Sequence, residues 1–159
     1  MDSNSLYAFE KFGDTVFRAV FNSVGNYAEA EDITQEVFLK LHQNPQNFND
    51  ENHMKAWLLR VAFNKCRDFR KSFRFRKQCS FDDVNENMLC VEFTSDEKSL
   101  LAEISSLPEK YSSVIYLYYY EKYSVKEIAE ILKKNENTVS SLLRRARNKL
   151  KDILEEEWI

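Results

Sequence analysis

The sequence predicts an all-α protein of two small helical domains joined by a flexible linker, with a helix-turn-helix in the C-terminal domain. Glycine and proline, the residues least compatible with helix interiors, each occur only twice among 159 residues. Apolar residues recur at helical spacing on both sides of residues 78–95, whereas that stretch is acidic and has no sustained period. We therefore predict domains at residues 1–77 and 96–159, with the linker between them.

The chain is slightly acidic overall, with a formal net charge of -3 at pH 7. Proteins that hold DNA unaided are more often basic, because neutralising phosphates supplies most non-specific affinity. A DNA-binding role would therefore depend on a protein partner. No apolar run reaches the length of a membrane span, and the first residues lack the features of a signal peptide, so we expect a cytoplasmic protein without membrane insertion.

The cysteines and histidines form no recognisable metal or catalytic pattern. Cys66, Cys79 and Cys90 are widely spaced and include no C-x-x-C pair. Neither His42 nor His53 is at ligand spacing from any of them, and the chain has no glycine-rich phosphate loop. A small helical enzyme or metal-binding protein is therefore disfavoured, no cofactor is expected, and a redox role for Cys79 or Cys90 has no positive support.

Three helices are predicted in the N-terminal domain, at residues 6–24, 28–41 and 54–77. The first is dense in apolar residues at helical spacing, is interrupted or begins near Gly13, and ends at Gly25. The side chains that we assign to its core face are Leu6, Phe9, Phe12, Val16, Phe17, Val20, Phe21 and Val24.

The second predicted helix has an acidic face as well as a core face. Asp32, Gln35 and Glu36 lie at i, i+3 and i+4, so they share one side of the helix. That side is either an ordinary solvated surface or a docking surface for a basic or polar partner helix. The predicted core residues are Ala30, Ile33, Val37, Phe38 and Leu41.

The third predicted helix has a polar stripe opposite its core face, and its end is strongly basic. Basic residues with aromatic residues between them suit a nucleic-acid strand whose bases are unstacked, although the helix dipole also favours cations at a C-terminus. In the loop before this helix, Phe48 either anchors the loop on the core or forms the wall of a pocket. The core face comprises Met54, Trp57, Leu58, Val61, Ala62 and Phe69, and the stripe includes Asn64, Arg67 and Lys71.

The C-terminal domain is predicted to begin with a short helix at residues 96–106. A second helix follows, with Pro108 at its first position, where the missing N–H is not needed. Its inner face would comprise Tyr111, Val114, Ile115 and Tyr118. We interpret the tyrosine-rich run at residues 116–120 as a mixture of core and surface side chains rather than a platform for stacking bases.

Residues 124–151 are predicted to form two helices joined by a tight turn. Ser124 and Glu127 have the spacing of a capping box, and Asn135 is a candidate cap for the second helix. The apolar residues are Val125, Ile128, Ala129 and Leu132 on the first helix and Val139, Leu143, Ala146 and Leu150 on the second. The second helix suits a DNA groove, since small polar residues lie near its N-terminus and arginines follow; the alternative is a solvated basic face.

The two modules, in this order, resemble a bacterial RNA polymerase sigma factor of the sigma-70 family and its extracytoplasmic-function (ECF) group. The resemblance covers nearly all of the chain. In the N-terminal half its motifs are Ala30-Glu31-Asp32-Ile33-Thr34-Gln35-Glu36-Val37-Phe38 and Ala56-Trp57-Leu58-Leu59-Arg60-Val61-Ala62-Phe63-Asn64. In the C-terminal half they are Leu107-Pro108-Glu109-Lys110-Tyr111, Tyr119-Tyr120-Glu121, residues 124–132, Thr138-Val139 and Arg145-Ala146-Arg147.

The resemblance implies that the chain binds core RNA polymerase and directs promoter-specific initiation, with the chemistry supplied by the polymerase. Residues 1–77 would correspond to region 2, which melts the promoter at its −10 element and holds a flipped base. The polymerase β′ clamp helices would be contacted by Asp32, Gln35 and Glu36. The −10 strand would be contacted by Phe48, Asn64, Arg67 and Lys71.

Residues 96–159 would correspond to region 4, which reads the −35 element in the major groove and rests on the polymerase β flap. The implied DNA-binding residues are Asn137, Thr138, Ser140, Ser141, Arg144, Arg145 and Arg147. The family also implies an anti-sigma factor as an inhibitor. One departure is that Lys133 stands where the turn of the family usually has a glycine.

A free-standing helix-turn-helix regulator is the alternative. It would use the C-terminal module on a palindromic operator, most simply as a dimer. Against it, the sequence has no obvious dimer-forming segment, and the basic third helix would have no use.

Overall fold

The computed structural model describes residues 3–72 and 102–158, and these fall into two compact units. Every regular element in these two ranges is helical, as the sequence predicts. The first unit contains α1 (Ser3–Val24), α2 (Tyr27–Gln43) and α3 (Glu51–Arg70). The second contains a helical segment at residues 102–106, followed by four elements. These are α4 (Glu109–Ile115), one turn of π-helix (Tyr116–Tyr120), α5 (Val125–Leu132) and α6 (Glu136–Trp158).

Short polar caps fix the ends of the helices in the first unit. Gly25 ends α1 with a φ of 70°, a left-handed conformation that glycine adopts without steric cost. Asn26 then caps α2 by accepting a hydrogen bond from the backbone N–H of Glu29 at 3.0 Å. Asp50 caps α3 in the same way, accepting from the N–H of His53 at 2.8 Å.

The core of the first unit lies where the three helices pack on one another. All five core residues predicted on α2 are buried, and on α3 five of the six predicted residues are buried. The exception is Trp57, which is half-buried. The helix α1 runs without interruption through Gly13.

The prediction that Leu6 and Phe9 lie in the core is wrong, because their side chains are 48% and 46% exposed. The first half of α1 buries Ser5, Ala8 and Phe12, which form a narrower face than the apolar pattern suggests. Phe9 makes an edge-on contact with the buried Phe38, at 5.3 Å between ring centroids.

The third helix is shorter than predicted. It ends at Arg70, and residues 71–72 form a turn, whereas the sequence predicts a helix to residue 77. At this turn both the backbone N–H and the hydroxyl of Ser72 donate to the carbonyl oxygen of Phe69, and such local bonds compete with helix continuation. The basic residues Arg74, Arg76 and Lys77 and the predicted linker lie outside the described residues.

The core of the second unit is formed by the inner faces of α4, the π-helical turn, α5 and α6. Pro108 lies immediately before the first helical residue rather than at it. Tyr116 is buried and Tyr119 is exposed, so the tyrosine-rich run is divided between core and surface as predicted. Tyr118, predicted on the inner face, is half-exposed, as is Leu150 on α6, whereas Leu142 adds an unpredicted buried side chain.

The helix-turn-helix forms with the predicted caps. The hydroxyl of Ser124 accepts from the N–H of Glu127 at 3.2 Å, and the Glu127 carboxylate accepts from the N–H of Ser124 at 3.0 Å. The side chain of Asn135 accepts from the N–H of Thr138 at 2.7 Å. Between these helices, Lys133 has a φ of 55°, the left-handed conformation for which a glycine is usual.

Candidate functional site

The acidic face predicted on α2 is part of a groove between α1, α2 and α3. Asp32, Gln35 and Glu36 are all exposed and all line this groove. The Lys65 ammonium on α3 lies 3.6 Å from a carboxylate oxygen of Glu36. The structure therefore brings the three predicted polymerase-contacting residues together on one open, acidic surface.

Apolar side chains extend this groove in a way that the sequence did not reveal. Phe9 and Leu39 line it and are 46% and 48% exposed. Leu39 follows Asp32 by seven residues and Glu36 by three, so the helical period could have placed it on the acidic face. Phe9 had no such signal, because it belongs to a helix distant in sequence. Asp68 on α3 also lines the groove and adds a further acidic side chain.

Phe48 packs on the first half of α3. Its ring is in edge contact with His53 and Trp57, with centroid distances of 5.3 and 5.9 Å. A cavity next to it is lined by Asn47, Asp50 and Met54, among others. The half-buried Phe48 thus packs its loop against α3 and also lines this cavity, whereas its contact with the −10 strand stays a prediction.

Asn64, Arg67 and Lys71 are exposed near the other end of α3. Nη2 of Arg67 donates to Oδ1 of Asn64 at 3.2 Å, which leaves the amide group of Asn64 to act as a donor. Asn64 follows Trp57 by seven residues, which is two helical turns or about 10 Å along the axis. Phe48 and Asn64 therefore lie along one side of α3 but not next to each other.

The exposed face of α6 is organised around one polar stripe. Asn137, Ser141 and Arg144 lie at i, i+4 and i+7, opposite the buried residues of the helix. Thr138 and Arg145 flank this stripe on one side. Among the described side chains, neither Arg144 nor Arg145 forms an ion pair, so their charges face solvent. Asn148 extends the stripe by one turn, a residue that the same period could have identified.

Arg147 lies on the other flank of α6, together with Ser140, and its side chain is held by two tyrosines. Its Nε donates to the hydroxyl oxygen of Tyr119 at 2.7 Å. Its guanidinium carbon is 5.2 Å from the ring centroid of Tyr118 and 5.6 Å from that of Tyr119. Unlike Arg144 and Arg145, this arginine is therefore fixed by contacts within the chain.

Among the described residues, three ionisable groups have a shifted pKa. Burial raises the pKa of Tyr123, and the carboxylates of Glu121 and Glu127 add to this effect. The Tyr7 hydroxyl donates a hydrogen bond to Glu51, which lowers the pKa of that carboxyl, and nearby Lys11 lowers it further. The same bond raises the pKa of Tyr7. The hydrogen bond between Tyr7 and Glu51 ties α1 to the first residue of α3.

Within residues 3–72 and 102–158, no helix is long and apolar enough to span a membrane. No group of three or more His, Cys, Asp or Glu side chains in this part of the chain is placed to hold a metal ion.

Comparison with known proteins identifies the family. Residues 8–76 match the model of sigma-70 region 2, and residues 97–150 match that of sigma-70 region 4. The ECF RNA polymerase sigma factor SigL of Mycobacterium tuberculosis is 31% identical over 93% of this chain and 87% of its own length. The chain belongs to the ECF sigma factors of RNA polymerase. Because it belongs to this family, the protein acts in transcription initiation. The alternative, a free-standing helix-turn-helix regulator, is not favoured.

Other ECF sigma factors show the same relationship. BldN of Streptomyces coelicolor is 30% identical over 94% of this chain, which spans 60% of the length of BldN. SigW of Bacillus subtilis is 28% identical, over 88% of this chain and 83% of SigW.

Two solved structures support the fold. The sigma factor RpoE, in its complex with the anti-sigma factor NepR from Bartonella quintana, has a TM-score of 0.72 and 20% identity, over 97% of this chain and 98% of RpoE. CnrH, in complex with the cytosolic domain of CnrY, has a TM-score of 0.67 and 22% identity, over 96% of this chain and 88% of CnrH.

Proposed function

We propose that this sigma factor binds core RNA polymerase through the acidic groove of its first unit and reads promoter DNA through α6 of its second. The observation that carries the proposal is that the two units present surfaces of different chemistry. The first unit presents Asp32, Gln35 and Glu36 around an open groove, and the second presents a stripe of amide, hydroxyl and guanidinium groups on α6. An acidic groove repels phosphates, so it suits a protein partner, whereas the stripe on α6 suits DNA.

The partner at the groove is the pair of β′ clamp helices. Exposed Phe9 and Leu39 provide apolar contact area, while Asp32 and Glu36 select for basic side chains. This combination favours an amphipathic helix with a basic flank, since it would bury the apolar surface and pair the carboxylates at once.

The −35 element is read by α6 in the major groove. Asn137, Thr138, Ser140 and Ser141 occupy its first two turns, where a recognition helix contacts base edges, and Arg144 and Arg145 follow one turn later. Arginine is suited both to guanine and to phosphates, because its planar fork of donors matches either. The β flap supports this unit from the side opposite the DNA.

The −10 element is opened by the first unit. A flipped base from the non-template strand would enter beside Phe48, while Asn64 donates from its amide and Arg67 and Lys71 follow the backbone. Extruding a base costs a few kcal/mol, and stacking on an aromatic ring together with phosphate contacts compensates for it.

The same proposal sets the domain limits at residues 1–77 and 96–159, with a linker at 78–95 that passes through the polymerase. The matches to region 2 at residues 8–76 and region 4 at 97–150 support these limits. The polymerase supplies the chemistry of RNA synthesis, so the chain needs no active site and works in the cytoplasm. An anti-sigma factor would inhibit it by covering the docking or DNA-binding surfaces. The related sigma factor RpoE is seen in complex with an anti-sigma factor, NepR.

Reconstituted transcription tests the proposal. Purified core polymerase is incubated with a promoter library on linear DNA, with and without this protein. Start sites that depend on the protein and share two spaced upstream elements are expected. If the protein instead binds an operator tightly without polymerase and no start site depends on it, the sigma-factor assignment of these surfaces is wrong.

A variant pair assigns the DNA-reading surface. Arg144→Ala should weaken recognition of the −35 duplex without loss of polymerase binding, because Arg144 lies at the centre of the exposed stripe of α6. Arg18→Ala removes the same charge from α1, which lies in the other unit, and should leave −35 recognition unchanged. Loss of polymerase binding in Arg144→Ala would show that the stripe contacts the polymerase instead.

A further inference from the structure

The side chain of Arg147 is oriented by the π-helical turn, although the two lie in different elements. The backbone N–H of Glu121 bonds to the carbonyl oxygen of Tyr116 at 3.2 Å, closing the wider turn, and this turn presents Tyr118 and Tyr119 towards α6. The two rings meet edge to face, with centroids 5.0 Å apart. Arg147 lies over both rings and donates to the Tyr119 hydroxyl. Irregular π-helical turns of this kind are frequent at functional sites.

The hydrogen bond to Tyr119 uses one particular donor of the guanidinium. An arginine has five N–H donors, and the Nε–H is the one given to the Tyr119 oxygen at 2.7 Å. The four donors on Nη1 and Nη2 are left on the far edge of the planar group. That edge has the geometry that binds two oxygens of one phosphate. The tyrosine thus fixes the plane of the guanidinium while leaving its phosphate-binding edge available.

The position of Arg147 on α6 argues for a phosphate rather than a base. It lies ten residues beyond Asn137, or about 15 Å along the helix axis. It also lies on the flank of the exposed stripe rather than at its centre. A straight helix whose first turns enter the curved major groove leaves the base edges after a few turns, so later flanking residues face the phosphate backbone.

We propose that Tyr119 is a positioning residue that holds Arg147 as a phosphate clamp on the flank of the recognition helix. Arg147 is therefore assigned to backbone anchoring, not to reading the −35 sequence. The inference rests on the proposed function, in which α6 enters the −35 duplex. It adds a role for a residue outside the helix-turn-helix.

The test measures binding of holoenzyme to two DNA duplexes. One is the upstream duplex of a promoter selected from a library with the unaltered holoenzyme, and the other is the same duplex with the −35 element scrambled. Arg147→Ala should weaken binding to both by about tenfold, the effect of losing one charge-assisted hydrogen bond. The slope of log affinity against log salt concentration should become shallower by about 0.9, as expected for one lost phosphate contact.

Tyr119→Phe keeps the ring and removes only the hydroxyl. It should weaken binding to both duplexes by several-fold, and it should have no further effect when Arg147→Ala is already present. Tyr118→Phe is the matched control, because it removes a neighbouring hydroxyl but keeps the ring under Arg147, and it should leave binding unchanged. A merely structural role for Tyr119 would give an additional loss in the Arg147→Ala background.

Three results would overturn the inference: an effect of Arg147→Ala confined to the intact −35 duplex, additive effects of the two variants, or unchanged binding in Tyr119→Phe.

If Tyr119→Phe does not fold, Arg147→Lys provides the test, since it keeps the charge but lacks the planar donor fork. Arg147→Lys should bind both duplexes several-fold more weakly, whereas the slope of log affinity against log salt concentration should not change. Unchanged affinity would contradict the inference. Arg144→Ala separates the two proposals: if it too leaves DNA binding unchanged, the assignment of α6 to the −35 duplex has failed.

Discussion

The ammonium nitrogen of Lys65 lies 3.6 Å from a carboxylate oxygen of Glu36, so a cation of α3 already neutralises part of the acidic groove. Both side chains are partly exposed, at 29% and 58%, and such pairs contribute only about 0–1 kcal/mol. A partner cation can therefore replace Lys65 at little cost. The empty groove therefore carries less than its full negative charge, and the proposed basic partner would displace Lys65 when it binds.

Charge reversal in the groove should weaken polymerase binding. Asp32→Lys combined with Glu36→Lys is expected to lower affinity for the β′ clamp helices by more than about tenfold, because like charges facing each other across an interface cost several kcal/mol. Affinity is measured by titrating labelled protein with the isolated clamp fragment. Glu31→Lys combined with Glu130→Lys changes the net charge equally at exposed positions that do not line the groove, and it should bind normally. Equal losses of affinity in both double variants would show that the groove is an ordinary solvated surface.

Removal of Phe48 and Asn64 should impair promoter opening more than initial promoter binding. Phe48→Ala with Asn64→Ala removes an aromatic wall and, about two helical turns further along α3, an amide donor. Loss of the proposed stacking of the extruded base on Phe48 should cost about 1–3 kcal/mol. Permanganate reactivity of unpaired thymines reports opening, and filter binding at low temperature reports the closed complex. Asn52→Ala, at an exposed position on another face of α3, is the control for loss of an amide. Normal promoter opening in the double variant would rule out the proposed base-binding pocket.

Replacement of Lys133 by glycine should stabilise the second unit. Lys133 has a φ of 55°, a conformation that costs an ordinary L-residue about 1 kcal/mol and glycine almost nothing. Lys133→Gly should therefore raise the free energy of unfolding by roughly 0.5–1 kcal/mol, as measured by urea denaturation. Lys126→Gly makes the same chemical change within α5 and should lower that free energy. Destabilisation by both substitutions would mean that Lys133 makes contacts that outweigh its backbone strain.

The contact between Tyr7 and Glu51 should make the stability of the first unit depend on pH. The bond lowers the pKa of Glu51, so the folded protein binds this proton less readily than the unfolded chain and loses stability as pH falls below the usual value of 4.5. It also raises the pKa of Tyr7, so the same stabilisation is lost as pH rises above 10.0. The stability difference between the unaltered chain and Tyr7→Phe should therefore be greatest at intermediate pH. In a Glu51→Gln background this pH dependence should disappear, and its persistence there would assign it to another group.

Sequence reasoning succeeded where the deciding residues are close along the chain. The capping box of Ser124 and Glu127 and the cap by Asn135 depend on bonds spanning three residues, and both are present. The acidic face of α2 follows from the helical period alone.

The remaining features depend on packing between elements that the sequence pattern does not specify. Whether Leu6 and Phe9 are covered depends on how far α2 and α3 extend beside α1, and a single helix contains no information on that. The same applies to the pair between Lys65 and Glu36 and to the bond between Arg147 and Tyr119, whose partners come from different helices.

Because of the π-helical turn at Tyr116–Tyr120, the orientation of the side chains that follow depends on the number of residues in the turn as well as on their identity. Such a turn closes with one residue more than an α-helical turn, so it behaves as a one-residue insertion in a regular helix. Deleting one of its residues would restore the regular ladder and rotate the following side chains by about 100° relative to α4. A single-codon deletion there should thus be more damaging than most substitutions of the same tyrosines.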